Sequence, residues 1–254
     1  MTPEDPSAEI RPNPLFKWLV GGLPLGLLIM GALSFYFYFQ RLKSHDSPHA
    51  SPFAQQLRKD LNEDEWKRYI GIFTTEIGDR SPGKTENIEA ATSFTESTMG
   101  LDNMGYEIVR RTFGLKEKTR LDLEAELPGK VHPRQLVLVA ARYDTADPAG
   151  ISALMCLAHA FTGTPRSDTI RFVALALGEN GSDAATYTKW IGKDQFDQVA
   201  VVALGAPADT ATIVKGLEGS VKKAQEIPLD AHASLDDLKA AEAQISQLAG
   251  QSAF

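Results

Sequence analysis

The chain has 254 residues, of which 43% are hydrophobic, and its 26 Lys and Arg against 33 Asp and Glu give a formal net charge of -7. This composition excludes a wholly disordered, collagen-like or multi-span membrane protein, and the acidic balance, with no clustered basic stripe, excludes a phosphate-tracking surface, so no nucleic-acid partner is expected. The single cysteine, Cys156, can form neither an internal disulfide nor a multi-cysteine zinc site.

Residues 1–17 read as an N-terminal tail. An uncharged run follows at 18–39, from Trp18 to Phe39. As a helix at about 1.5 Å per residue it crosses a bilayer core of about 30 Å, so one transmembrane helix is expected. A cleaved signal peptide fits less well, because the run is too long, Glu4, Asp5 and Glu9 precede it, and no small-x-small cleavage site follows. Trp18 and the aromatic run Phe35 to Phe39 suit the two interfaces, and the bilayer is the expected surrounding of this segment. Arg11 and Lys17 on one flank balance Arg41 and Lys43 on the other, so the flanking charges do not choose an orientation. Gly22 and Gly26 form a small-xxx-small pair that lets a partner helix approach closely, with Pro24 between them as a source of a kink. The competing reading is that Gly and Pro are simply common in membrane helices.

Residues 40–52 are rich in Ser, His, Asp and Pro and read as a polar linker. His45 and His49 lie there, as a weak metal tract or a solvated hinge. The remainder, 53–254, reads as one domain. Asn62 followed by Glu65 forms a capping-box pattern, and Trp66, Tyr69, Ile70, Phe73 and Ile77 repeat at helical spacing up to Gly78. A second helix is predicted over Glu86–Met99, and strands over Tyr106–Thr112, Arg120–Glu126 and Gln135–Ala141. The last is a continuous apolar run suited to a central strand covered on both faces. Then come a helix over Gly150–Phe161, a buried strand at Thr169–Leu177, a helix at Ser182–Ile191, a third central strand at Val199–Leu204 and a closing helix at Leu235–Leu248. Strands alternating with helices imply an α/β sandwich. His159 and Cys156 share one helix at a spacing of three, as a shared metal pair or as ordinary core packing.

The stretch Leu138-Val-Ala-Ala-Arg-Tyr-Asp-Thr, Gly150 opening a helix, and Asp168-Thr-Ile-Arg-Phe-Val-Ala-Leu-Ala-Leu-Gly-Glu-Asn-Gly together resemble the M28 family of zinc aminopeptidases. Ile77-Gly-Asp-Arg-Ser-Pro-Gly, Gly105-Tyr-Glu and Glu126-Leu-Pro-Gly match earlier parts of the same pattern, so the similarity runs from Asp64 to Leu204. The resemblance implies a three-layer α/β sandwich with a mostly parallel, mixed central sheet. It also implies two zinc ions bridged by an aspartate and held by two histidines, a glutamate and a further aspartate, with an adjacent glutamate as general base.

Carried over residue by residue, that ligand set is depleted. The first histidine falls on Arg142, followed by the matching Tyr143, Asp144 and Thr145. A guanidinium is always protonated and has no lone pair to give a metal. The bridging aspartate falls nearest Asp147, in a segment one residue shorter than the family's. The base and the ligand glutamate fall on Gly178 and Glu179, the next aspartate on Gly205, and the last histidine on His232. Only Ala206 to Ala231 separate the last two positions, which implies a reduced pocket. No catalytic residue, metal or other cofactor is therefore expected. Arg142 is expected either to pair with Glu179 where the metal pair would stand, or to be solvated with it at the sheet edge.

The resulting expectation is a single-pass, membrane-anchored M28-like pseudo-peptidase, an accessory or structural subunit whose partners are other membrane proteins. The resemblance leans its domain to the extracytoplasmic side. The alternatives are a metallo-aminopeptidase using Asp147, Glu179 and His232 in a divergent site, and a sensor that holds a small peptide or amine in the vestigial cleft.

Overall fold

The chain divides into two compact units, Met1–Asp46 and Ser47–Phe254. A computed structural model describes residues 27–36, 52–113, 120–178, 184–230 and 232–250. In the first unit, 27–36 is helical and exposed throughout, including Leu27, Leu28, Ile29, Met30, Leu33, Phe35 and Tyr36. Among the described residues no helix is long and apolar enough to cross a membrane. The rest of the predicted span 18–39, with Gly22 and Gly26, lies outside the described residues, as do His45 and His49.

The second unit opens with a short helix, α1 (Pro52–Leu57). In α2 (Glu63–Gly71), Asn62 is extended and its side-chain oxygen accepts the Glu65 backbone N–H at 2.7 Å, so one half of the expected capping box forms. The Glu65 carboxylate turns inward to Tyr69 and His159. The helix runs on as a π-helical turn, Ile72–Ile77, which Gly78 ends at φ 80°, a left-handed conformation open to glycine. α3 spans Thr85–Met99.

Six strands follow: β1 (Ile108–Phe113), β2 (Arg120–Leu127), β3 (His132–Arg142), β4 (Asp168–Leu175), β5 (Gln198–Gly205) and β6 (Lys223–Pro228). They form one sheet in the order β1-β2-β4-β3-β5-β6. β1, β2 and β4 pair antiparallel, and β4, β3, β5 and β6 pair parallel, so the sheet is mixed. The remaining helices are α4 (Ala149–Phe161), α5 (Ala184–Lys193), α6 (Pro207–Leu217) and α7 (Leu235–Leu248).

The period-2 alternation of the central strands sorts their side chains into two cores. Val137, Val139 and Ala141 of β3 join Trp66, Phe73, Met99, Leu154, Phe161 and Ile245 in the layer built from α2, α3, α4 and α7. Leu136, Leu138 and Ala140 face the other way, onto Tyr187 and Ile191 of α5 and Ile213 and Leu217 of α6. The predicted sandwich is therefore a three-layer one. Each Leu, Ile or Val fully removed from water contributes about 1.5–3 kcal/mol, which is why β3 and β4, with the apolar runs 136–141 and 172–175, sit in the middle. α4 is buried along its whole length.

The antiparallel side carries charge instead. Arg171 of β4 binds Glu126 at 2.7 Å and Asp194 at 2.8 Å, while Arg111 of β1 binds Glu124 at 3.0 Å and reaches the same Asp194. These pairs tie the end of α5 to the hairpin. Three elements lie beyond the sequence-based expectation: α1, α6 and β6. β6 is an edge strand with little apolar content, exposed at Lys223, Ala224, Glu226 and Pro228, and so lacks the pattern that marks the central strands.

The seat of α1 is closely fitted. A Cβ on Gly163, which has φ 67°, would lie 2.6 Å from the Gln55 nitrogen. Gly163→Ala is expected to cost about 1–3 kcal/mol through forced displacement of α1. Urea unfolding would read that loss, and early proteolytic cleavage around residues 52–58 would locate it.

Candidate functional site

Parallel strands that end side by side place their final residues in one cleft, the place where α/β sheets of this kind hold ligands. Here Arg142 ends β3 opposite Leu175 of β4, and Leu204 of β5 lies opposite Ala141. The residues beyond those ends are the ones singled out from the sequence: Asp144, Asp147, Gly178 and Gly205.

Arg142 occupies the centre. Its Nε donates to Asp144 Oδ1 at 2.6 Å, its Nη1 to Asp209 Oδ1 at 3.1 Å, and its Nη2 to the Gly178 carbonyl at 2.7 Å and the Asp144 carbonyl at 3.3 Å. Asp144 also accepts the backbone N–H groups of Leu177 at 3.1 Å and Gly178 at 2.6 Å. Burial is the largest influence on Asp144 and pushes its carboxyl above the usual range, while Arg142 and the two amides oppose that push. Burial also works against the Arg142 charge, but Asp144 and Asp209 outweigh it and hold the guanidinium more firmly protonated than usual.

Asp209 is the site residue that sequence reasoning missed. It stands in the first turn of α6, after Pro207, and is buried. The signal was available in the run Pro207-Ala-Asp, since Pro at the first helical position and an acid in the first turn mark a helix N-terminus. A side chain on Gly205 would point at this residue: its Cβ would lie 4.0 Å from Asp209 Cβ.

The neighbouring positions are committed to the backbone. Asp147 accepts the Ala149 N–H at 2.8 Å, which holds the turn into α4. Gly150, in the first turn of that helix, packs so closely on β5 that a Cβ there would sit 2.7 Å from the Leu204 carbonyl oxygen. Gly178 has φ 67° and Gly205 has φ 132°. Arg80, from the Ile77-Gly-Asp-Arg segment, is fully buried and clamps the loop after β3. It donates to the carbonyls of Tyr143 at 3.1 Å, Phe73 at 2.6 Å, Gly78 at 2.8 Å and Ala146 at 3.3 Å.

The structure thus brings together Arg142, Asp144, Gly178 and the unpredicted Asp209. His232 is exposed, and its backbone N–H donates to Asp230 at 2.7 Å. Glu179, the expected partner of Arg142, lies outside the described residues. His159 sets its ring against Glu65 and Leu57 and not against Cys156. Among the described residues no group of three His, Cys, Asp or Glu side chains could hold a metal ion. Among the described residues the donor set at the strand ends does not fit one either, because Asp144 and Asp209 are both bound to a fixed positive charge, Asp147 is bound to the Ala149 N–H, and the positions at 178 and 205 carry no side chain.

The backbone opposes an acidic side chain at position 205. At φ 132° a side chain is strained, so Gly205→Asp is expected to lose about 1–3 kcal/mol. Thermal unfolding checks the loss, and equilibrium dialysis against zinc is expected to show no gain in binding over the parent chain.

The sequence matches no protein-family profile and no curated protein. Solved structures that share the fold include two zinc-dependent exopeptidases. One is a protein assigned as a zinc-dependent exopeptidase from Bacteroides vulgatus, with a TM-score of 0.53 and 10% identity, covering 77% of this chain and 98% of that one. The other is a zinc-dependent exopeptidase from Parabacteroides distasonis, with a TM-score of 0.54 and 12% identity, covering 76% of this chain and 99% of that one. At these identities the likeness is one of fold.

Proposed function

We propose that this chain is a catalytically silent, membrane-anchored protein built on the zinc-exopeptidase fold, and that it acts as an accessory subunit docking on other membrane proteins. The observation that carries the reading is Arg142. Its guanidinium stands at the strand end where the M28 resemblance implies a metal-binding histidine, bound to Asp144, Asp209 and the Gly178 carbonyl. A salt-bridged, hydrogen-bonded arginine replaces both the cation and its ligand, and Gly178 supplies no base to take a proton from water.

The anchor rests on two observations. The run 18–39 is uncharged, and its described portion, 27–36, is an apolar helix exposed on all sides. Such a helix is stable in lipid or against partner helices, and water alone suits it poorly. Gly22 and Gly26 would sit at the helix contact. The resemblance leans the domain to the extracytoplasmic side.

Extraction of the full-length protein from its native membrane in mild detergent tests the reading. A large particle of fixed composition, free of zinc and inert toward aminoacyl substrates, is expected. A lone monomer that carries zinc and cleaves peptides, with cleavage abolished by Glu179→Ala, would overturn the reading in favour of a divergent metallopeptidase using Asp147, Glu179 and His232. A lone, metal-free monomer with saturable peptide or amine binding would replace the docking subunit by a sensor.

A further inference from the structure

His159 lies on α4 with its side chain only 5% exposed, and both of its ring nitrogens face an oxygen. Nε2 is 2.8 Å from the Leu57 carbonyl, the last residue of α1, and Nδ1 is 3.2 Å from Glu65 Oε1 on α2. A carbonyl and an ionised carboxylate only accept hydrogen bonds. A neutral imidazole owns one N–H and satisfies one of these oxygens, whereas an imidazolium owns two and satisfies both.

Every group facing the pair keeps Glu65 an anion. The Tyr69 hydroxyl donates to it at 3.3 Å, and the cations of Arg68 and Lys59 lie 3.6 Å and 3.9 Å away. Burial pushes the Glu65 carboxyl up, but His159, Lys59 and Tyr69 outweigh it and hold it below the usual range. Burial raises the Cys156 thiol and the Tyr69 hydroxyl far above their ordinary values, so both stay neutral. When the imidazolium loses a proton, the remaining N–H stays on the charged acceptor, because a charge-assisted bond is the stronger and a lone pair facing a carboxylate is repelled. The bond given up is the one to Leu57.

We infer that His159 is a proton-operated latch on α1: the doubly protonated ring ties the end of this helix to α2, and loss of the proton frees it. α1 depends on such contacts, since a six-residue helix has no stability of its own. The buried Ala54 and the close approaches of Gly163 to Gln55 and of Gly105 to Leu57 seat the same helix. The latch also has an acid limit. Glu65 titrates lower in the folded protein than when unfolded, so its contribution is complete above the unfolded value and is lost as pH falls through the folded one. The latch is therefore closed when Glu65 is ionised and the His159 ring carries both protons, and it stands whether or not the chain is anchored.

The test is amide hydrogen exchange of residues 52–58 in the full-length protein in detergent, corrected for intrinsic rates, from about pH 5 to about pH 9, with ring nitrogen NMR of His159 alongside. Protection of this segment is expected to fall about tenfold as the ring loses its charge, the factor matching one lost bond to a charged group, while α4 and the sheet keep theirs. Glu65→Gln should carry the ring titration and the loss of protection together to lower pH. Three results would overturn the latch: protection that stays flat while the ring titrates, a ring neutral across the whole range, or a loss shared equally by the sheet.

Discussion

Arg80→Ala is expected to lower the stability of the domain by about 3–5 kcal/mol, because several backbone carbonyls lose a charged donor together. The side chain is fully buried, and its three nitrogens serve four backbone carbonyls, those of Phe73, Gly78, Tyr143 and Ala146. Its guanidinium also stacks 5.0 Å from the centre of the Phe73 ring. Alanine removes every one of these donors; the Phe73 carbonyl keeps the Gly78 N–H, and each buried acceptor that finds no other donor or water costs about 1–3 kcal/mol. Arg80→Lys should recover only a fraction, since an ammonium is a point charge that cannot span both sides of the clamp. Urea unfolding gives both values, and the loop at 143–146 should be the first region to gain hydrogen exchange.

The second large effect is expected at Arg142. Arg142→Ala strips Asp144, whose side chain is 3% exposed, of its counterion and leaves Asp209 facing it without the intervening guanidinium. A loss of about 3–5 kcal/mol at neutral pH follows. The sign of its pH dependence is also set. Asp144 already titrates higher folded than unfolded because of burial, so the folded state favours its protonated form. Its contribution is fully present below the unfolded value and is lost as pH rises through the folded one. Without Arg142 that upward displacement grows, so the deficit of the variant should be greatest at neutral pH and shrink as the solution is acidified. Equilibrium unfolding of both proteins across that range checks it; a deficit independent of pH would mean that the arginine acts through packing alone.

Arg80 and Arg142 were not equally visible in the sequence. Arg80 stood out only as part of the Ile77-Gly-Asp-Arg segment, with no hint that it clamps the loop after β3, because its acceptors are backbone carbonyls and carry no residue signature. Arg142 was identified through its place in the resemblance, and its carboxylate neighbour Asp144 lay two residues away. Asp209 was not identified, because α6 is rich in Ala and Thr and β6 is largely polar, so the region after β5 gave no apolar period to read. His159 and Cys156 share a helix at a spacing that allows one metal; the fold turns the histidine toward Glu65 and Leu57, a choice made by α1 and α2 packing over α4.

The elements with strong apolar period and their class were legible in the residues alone: the runs at Gln135–Ala141 and Val199–Leu204 suit central strands covered on both faces, and their alternation with amphipathic helices implies an α/β sandwich. The sequence also shows that the side chains at 142 and 178 can supply neither a metal ligand nor a base, whatever the fold, since a guanidinium has no lone pair to give and glycine has no side chain. Only the tertiary structure decided which groups meet. The pairing of Arg142 with Asp209 and of His159 with Glu65 joins residues distant in the chain, through strand ends and helix faces whose register is set by packing. Local sequence constrains dihedral angles and burial, while the partner of a buried charge is chosen by whichever carboxylate the assembled layers bring within hydrogen-bond reach.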